Sequence, residues 1–236
     1  MLIALWSPKG GAGTSVLAAA CALVLARKAD GARLADLGGD QPAIFALASE
    51  PPTGLVDWLA AGPEAPVDAL ARLAVTAAPG VALLPRGGAH DRVLAASAPP
   101  EAGAALAVAL RDGPVPTIVD ANAASSTAAR ALVEVADVSV IVLRGCYLGL
   151  RRAVHSPLLG RAAGVVLVEE QGRSLGPSEV ADVLDQPVLA RVPVRASVAR
   201  AVDAGVLPMR LPEALARPAA RLLARVELLN DRLDTA

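Results

Sequence analysis

Short apolar runs alternate with longer Ala- and Leu-rich stretches along the whole chain. Runs bounded by Gly, Pro or Asp read as buried strands, and the longer stretches read as the helices that cover them. The predicted strands are Leu2–Trp6, Arg33–Leu37, Val81–Leu84, Thr117–Val119, Val138–Leu143, Val165–Val168 and Val188–Arg191. Between them the pattern predicts helices near Ser15–Lys28, Gly54–Ala61, Pro100–Arg111, Ser125–Val135, Leu148–His155, Pro177–Leu184 and Ala196–Ala204, then a terminal helix from Pro212 to Leu233. Such alternation predicts an α/β fold, a three-layer, mainly parallel twisted sheet with helices on both faces. Pro/Gly clusters at Glu50–Gly54 and Gly62–Pro66 read as loops, too short and apolar for an interdomain linker. There is no internal repeat, so residues 1–236 read as one domain.

Composition narrows this picture. Hydrophobic residues make up 54% of the 236 residues but aromatics only 2%, so the core must be built from Ala, Val and Leu. A net charge of −1 gives no electrostatic basis for wrapping DNA or lying on an anionic membrane. Cys21 and Cys146 stand in apolar contexts without metal-ligand spacing and read as reduced thiols. Met1–Trp6 has no charged leader and reads as a strand, not a signal peptide. The apolar stretch Leu17–Leu25 is ended by Arg27 and Lys28, short of the ~20 residues a membrane span needs. The expectation is a cytoplasmic protein.

Of the 22 basic residues only Lys9 and Lys28 are lysine. Lys9 lies in Ser7-Pro8-Lys9-Gly10-Gly11-Ala12-Gly13-Thr14-Ser15, a glycine loop between the first strand and the first helix. Glycines let the amides of Gly10, Gly11, Ala12 and Gly13 converge, and the helix N-terminus adds partial positive charge, so the segment reads as an anion trap. The Ser15 hydroxyl is placed to hold Mg²⁺. The alternative is a flexible strand–helix turn, because the general phosphate-loop pattern has lysine where this chain has Thr14. Asp36 and Asp120 end apolar strands, where open α/β sheets bind ligands; each also reads as a cap for the segment that follows.

Lys9-Gly10-Gly11-Ala12-Gly13 followed by Ser15 resembles the deviant Walker A motif of the ParA/MinD family of dimeric P-loop ATPases, which includes the pilus-associated CpaE/TadZ branch. Arg33–Leu37 resembles the family's second strand, which ends in an Asp-x-Asp switch. Thr117-Ile118-Val119-Asp120 resembles its Walker B strand, and Ala136–Leu143 the strand after it. Pro187–Pro193 and Ser197–Gly205 resemble the late strand, proline loop and helix. The resemblance covers essentially the whole chain. It implies ATP or ADP with Mg²⁺ on Gly10–Ser15, Ser15 and Asp120 at the metal, and Asp36 in the switch. It also implies a homodimer in which Lys9 reaches the partner's phosphates, and a protein partner in a localised machine.

Three departures touch nucleotide chemistry. Thr14 replaces the lysine that would contact the β- and γ-phosphates; a hydrogen bond to a charged group is worth about 1.5–3 kcal/mol, or one to two powers of ten in affinity. Charge developing in phosphoryl transfer also loses a preorganised cation. The second switch aspartate falls on Gly38, with Asp40 two residues further on. Glu169 stands where relatives carry an Asn or Asp that reads the adenine edge; a carboxylate that accepts from adenine and a solvated strand end both fit. Nucleotide binding is therefore left open, and efficient hydrolysis is not expected.

The remaining features are blander. Arg144, Arg151 and Arg152 read as a solvated helix face or a basic patch beside the loop. His90 and His155 lack a third ligand or a nucleophile. Ser125-Ser126-Thr127 reads as a helix start. In the terminal helix Leu215, Leu222, Val226, Leu229 and Leu233 share one face and Arg217, Arg221 and Arg225 another. Packing on the domain is favoured over membrane binding, since no Trp or Phe anchors the helix. The function expected is a spatial organiser or scaffold in the ParA/MinD manner, with the CpaE/TadZ-like branch preferred. The alternatives are a nucleotide-independent pseudo-ATPase scaffold and a metabolic enzyme on the same fold.

Overall fold

Leu2–Trp6 (β1) is apolar at every position because both of its faces are covered. Ile3 and Leu5 enter one layer of core, while Leu2, Ala4 and Trp6 enter the other. In the computed structural model, which describes residues 1–88 and 98–233, β1 is a central strand of an eight-stranded sheet. The other strands are Ala32–Asp36 (β2), Val75–Ala78 (β3), Val81–Leu84 (β4), Thr117–Asp120 (β5), Val138–Arg144 (β6), Ala162–Glu169 (β7) and Val188–Pro193 (β8). Their order is β3-β4-β2-β5-β1-β6-β7-β8, parallel throughout except for β3 against β4. The helices are Thr14–Ala26 (α1), Gln41–Ile44 (α2), Leu55–Ala60 (α3), Val67–Leu73 (α4), Pro100–Arg111 (α5), Thr127–Val135 (α6), Tyr147–Val154 (α7), Pro177–Leu184 (α8), Ala196–Asp203 (α9) and Glu213–Leu233 (α10).

Both faces of the sheet are layered with helices, as the alternating pattern predicts. On one side α1 packs over β2 and β5 and against α10, which itself lies on β8, and Ala18, Ala19, Ala20 and Ala22 are fully buried there. Methyl-sized side chains let a helix approach on two sides at once, which is how a core nearly without aromatics reaches close packing. Leu215, Ala219, Leu222, Leu223 and Val226 of α10 close this layer. On the other side α5 and α6 press Leu106, Leu110, Leu132 and Val133 against the alternate positions of the same strands. The apolar face of α10 is thus spent on the domain. No helix among the described residues is long and apolar enough to cross a membrane.

Several elements differ from the sequence reading. β3 has no counterpart in it; the strand forms because Pro79-Gly80, with Gly80 at φ +74°, turns Val75–Ala78 back onto β4. α2 and α4 are too short for a period to show. β2 ends at Asp36 instead of Leu37, β5 extends to Asp120, and β7 begins at Ala162, before its most apolar run. His90 lies outside the described residues, as do Asp234 and the side chain of Leu233.

Gly54 and Gly87 bring two loops into backbone contact, with Leu55 N–H donating to Pro85 O at 2.9 Å and Val56 N–H to Arg86 O at 2.9 Å. A Cβ on Gly54 would sit 2.1 Å from Pro85 O, a clash that only backbone movement relieves. Gly54→Ala is expected to cost about 2–4 kcal/mol. Gly62, at φ +90° with open space around it, should cost only ~1 kcal/mol as alanine. Thermal unfolding of the two variants measures the difference.

Candidate functional site

β1 stops at Trp6, and the chain loops through Ser7–Gly13 into α1. Ser7 pins the start of the loop: its hydroxyl donates to Lys9 O at 2.6 Å and accepts from Lys9 N–H at 3.3 Å. Gly11 and Gly13 have φ of +79° and +89°, which glycine adopts without strain. A Cβ at Gly10, Gly11 or Gly13 would meet nothing within 4 Å, so the loop opens outward. No side chain caps α1, and none of the amides from Gly10 to Ser15 donates to another described group. A row of unused donors at a helix N-terminus is what an anion needs. The cavity over it, about 480 Å³, is lined by Gly11–Val16 with Asp40, Asn122 and Asp203.

Beside the loop, Asp36 and Asp120 stand level at the ends of paired strands, both fully buried. Asp36 shapes the turn that follows it: Oδ1 accepts from Gly38 N–H at 3.0 Å and Gly39 N–H at 2.7 Å, and Oδ2 from Gln41 N–H at 3.0 Å. Asp120 Oδ1 accepts from Asn122 N–H at 3.1 Å. Gln41 Nε2 ties the pair to the loop, donating to Asp120 Oδ2 at 2.8 Å and to Ser15 O at 2.9 Å. Gln41 Oε1 is buried with no partner. Ser15 Oγ donates to Asp40 Oδ2 at 3.4 Å.

Burial and then the neighbouring Asp120 charge push the Asp36 carboxyl up to about 7, against the pull of the Gly39 and Gln41 amides. Asp120 is likewise raised by burial, opposed by hydrogen bonds from Gln41 and Ser15. Among the described residues no Lys or Arg lines the loop cavity beside these carboxylates. Thr14, which the sequence reading left in the loop before the helix, is buried on the first turn of α1 and brings no charge. Among the described residues no group of three or more His, Cys, Asp or Glu side chains could hold a metal ion. A Mg²⁺ here would take most of its ligands from phosphate and water, with Ser15, Asp40 and Asp120 nearby.

The other candidates sort as follows. Lys9 lines the groove and the narrow cleft on the far side of the loop, the latter beside Arg144. Arg144 Nε is buried there without a partner. Glu169 is engaged with Arg191 at 2.6 Å. Ser126 caps α6, accepting from Ala129 N–H at 3.1 Å. The slot at Gly38 is filled from outside, since a Cβ there would lie 2.7 Å from Asn122 Nδ2 and 3.2 Å from Asn122 Cβ. Asn122 itself has φ +48°. Gln41 and Asn122 escaped the sequence reading. Their only signal is position, one after Asp40 and two after Asp120, and no apolar pattern marks it.

No family model and no curated protein matches the sequence. The fold does have solved counterparts. A ParA family ATPase from Chlorobium tepidum TLS superposes with a TM-score of 0.76 at 20% identity, over 97% of this chain and 96% of that one. The cell division ATPase MinD of Pyrococcus furiosus gives 0.76 at 22%, over 97% and 98%. An ATP complex of a substituted McdA from Cyanothece gives 0.72 at 16%, over 99% and 96%. From edge to edge, this chain has the fold of the ParA and MinD ATPases.

Proposed function

We propose that this protein is a spatial organiser of the ParA/MinD type, a nucleotide-responsive homodimer with weak or absent ATP hydrolysis that positions a protein machine. The observation that carries this reading is the loop Gly10–Ser15, whose amides are unused and open outward beside Ser15, Asp36 and Asp120. In this reading the amides bind the phosphates, and Ser15 and Asp120 orient the metal that neutralises them. Gln41 fixes Asp120 against the loop. Lys9, turned away from its own cavity, is available to a second copy. Support comes from similar folds solved with nucleotide or partner, a MinD with Mg-ADP from Pyrococcus horikoshii OT3 and a MinC:MinD complex from Aquifex aeolicus. Overall sequence character favours the CpaE/TadZ-like branch, with a pilus or secretion machine as cargo.

A second reading, a pseudo-ATPase scaffold, is favoured by two observations. No cation lines the loop cavity, and Asn122 fills the space at Gly38. Calorimetry with Mg-ATP, with solution mass followed in parallel, separates the two. Micromolar binding with a monomer-to-dimer shift supports the switch, and no binding up to millimolar nucleotide supports the scaffold. Thr14→Lys is expected to raise affinity about tenfold or more, and Lys9→Ala to impair the ATP-dependent dimer.

The buried pair predicts a pH dependence. The Asp36 carboxyl sits at about 7 in the fold against an ordinary 3.8, so the folded state binds the extra proton. This contribution to stability is complete below the ordinary value, declines as pH rises, and is gone above about 7. Without ligand, the melting temperature should fall by several degrees between pH 5 and pH 8. Asp120→Asn, which removes the neighbouring charge, should flatten that fall. An equally steep profile in the variant would separate Asp36 from it.

Gly38→Asp alone should not restore hydrolysis, because Asn122 occupies the space. It should instead cost about 1–3 kcal/mol by overpacking. The double variant with Asn122→Gly, which suits φ +48°, should recover that stability. A thermal double-mutant cycle reads the coupling, and ATP turnover by the double variant tests whether position 38 is the missing switch carboxylate.

A further inference from the structure

A further cavity, about 520 Å³, opens where the segments after β2, β4 and β5 pass between α3 and α6, and no residue of the glycine loop lines it. Its floor is apolar: Val56, Leu59, Ala121, Ala128 and Ala129 line it and are themselves buried. The polar lining, Arg86, Asn122 and Ser125, is nearer to solvent. The walls are fixed before anything enters. Two backbone hydrogen bonds tie Leu55 and Val56 of α3 to Pro85 and Arg86. Leu37 N–H donates to Asp120 O at 3.0 Å, and Ala124 N–H to Ala121 O at 2.7 Å. Small-molecule sites are concavities of ~300–1,000 Å³, mostly apolar and preformed, with a few convergent polar groups. This cavity has that make-up.

The polar groups that converge on it are unused. Among the described residues Arg86 forms no ion pair, and the side chains of Arg86, Asn122 and Ser125 make no hydrogen bond. Elsewhere the chain pairs several arginines, among them Arg72 with Asp68 and Arg191 with Glu169. Arg86 crosses the turn after β2, where Gly39 leaves it room: a Cβ on Gly39 would lie 3.3 Å from Arg86 Cδ. No Asp or Glu among the described residues lines the cavity, so the guanidinium charge is uncompensated there.

We propose that this cavity binds a small organic monocarboxylate with an apolar body. The two oxygens of one carboxylate match the guanidinium fork of Arg86, with the Ser125 hydroxyl and the Asn122 amide as further donors. The body rests on Val56, Leu59 and Ala129. A phosphate monoester fits less well, since it carries about −1.5 to −2 charge near pH 7 against a single cation. Asn122 also lines the loop cavity, so the two sites share one wall. The proposal goes beyond the organiser reading and does not depend on nucleotide binding.

The test titrates 1-naphthaleneacetate and 4-phenylbutyrate, each beside its neutral amide, into nucleotide-free protein with labelled Leu, Val and Ile methyl groups. 1-Naphthyl phosphate is the comparator for phosphate, and methyl NMR is the readout. The expected result is saturable shifts for at least one carboxylate at Leu37, Val56 and Leu59, which line the cavity. The matching amide should bind at least about tenfold more weakly. Arg86→Gln should weaken the carboxylate about tenfold, and Arg86→Lys less, because it keeps the charge and loses the fork. The amide comparison uses the unaltered protein, so the outcome does not hang on the folding of a variant. No saturable binding by either carboxylate, an amide that binds as tightly, or unchanged affinity in a folded Arg86→Gln overturns the proposal. Shifts centred on Val16, Ile44 and Val202 place the anion over the glycine loop, with the same consequence. Tighter binding of naphthyl phosphate reassigns the cavity to phosphate monoesters and overturns it too. The calorimetric ATP experiment is separate, so either reading can fail without the other.

Discussion

Two carboxylates buried side by side at the carboxyl edge of a parallel sheet set the conditions for everything around them. Asp36 and Asp120 are level across β2 and β5, and neither reaches solvent. Burying such a pair is costly unless hydrogen bonds or a cation compensate. The fold supplies the hydrogen bonds through the backbone of the turn after β2 and through one side chain, Gln41. The same Gln41 binds the carbonyl of Ser15, so the carboxylates and the glycine loop hold their geometry together. Among the described residues no cation lines the cavity beside them.

That absence, and the cations beside it, describe one redistribution of charge. The loop cavity has amides, hydroxyls and Asp40 and Asp203, with Thr14 where a lysine is expected. The adjoining groove has Lys9 and three arginines and no carboxylate. Field strength decays over a Debye length of about 8 Å at physiological salt, so the groove cations do not fully substitute for a charge on the loop itself. A cation-poor cradle would make any bound nucleotide more dependent on its metal.

The layered fold is legible in the sequence because it rests on burial. A strand covered on both faces must be apolar throughout, and β1, β6 and β7 are read directly from that rule. The glycine loop is legible because the φ values at Gly11 and Gly13 demand a residue without a Cβ. Much of the site is not. Gln41 matters through contacts with residues 26 and 79 positions away, and Asn122 through the space that Gly38 leaves. Such roles are set by which loops meet above the sheet, which no local period encodes. β3 escapes for a related reason: at an edge of the sheet it is only partly buried, so its apolar pattern is weak.

The state of the loop bears on whether it is a relic. An unused phosphate site has no need of a polar edge, and filling it with well-packed apolar groups is often neutral or stabilising. Here the polar edge is intact. Asp36 is raised to about 7, Gln41 Oε1 is buried unpaired, and Asn122 holds a left-handed backbone. Each is a local cost, of the kind that clusters where a ligand is bound. The changes at positions 14 and 38 are of another kind, because each removes a charge that would act on the phosphates and leaves the loop's shape untouched. Shape lets an anion be held, the charge at position 14 would add to its affinity, and both charges would act on its cleavage. On the proposed reading, a site that keeps the first and lacks the second holds an anion without cleaving it efficiently.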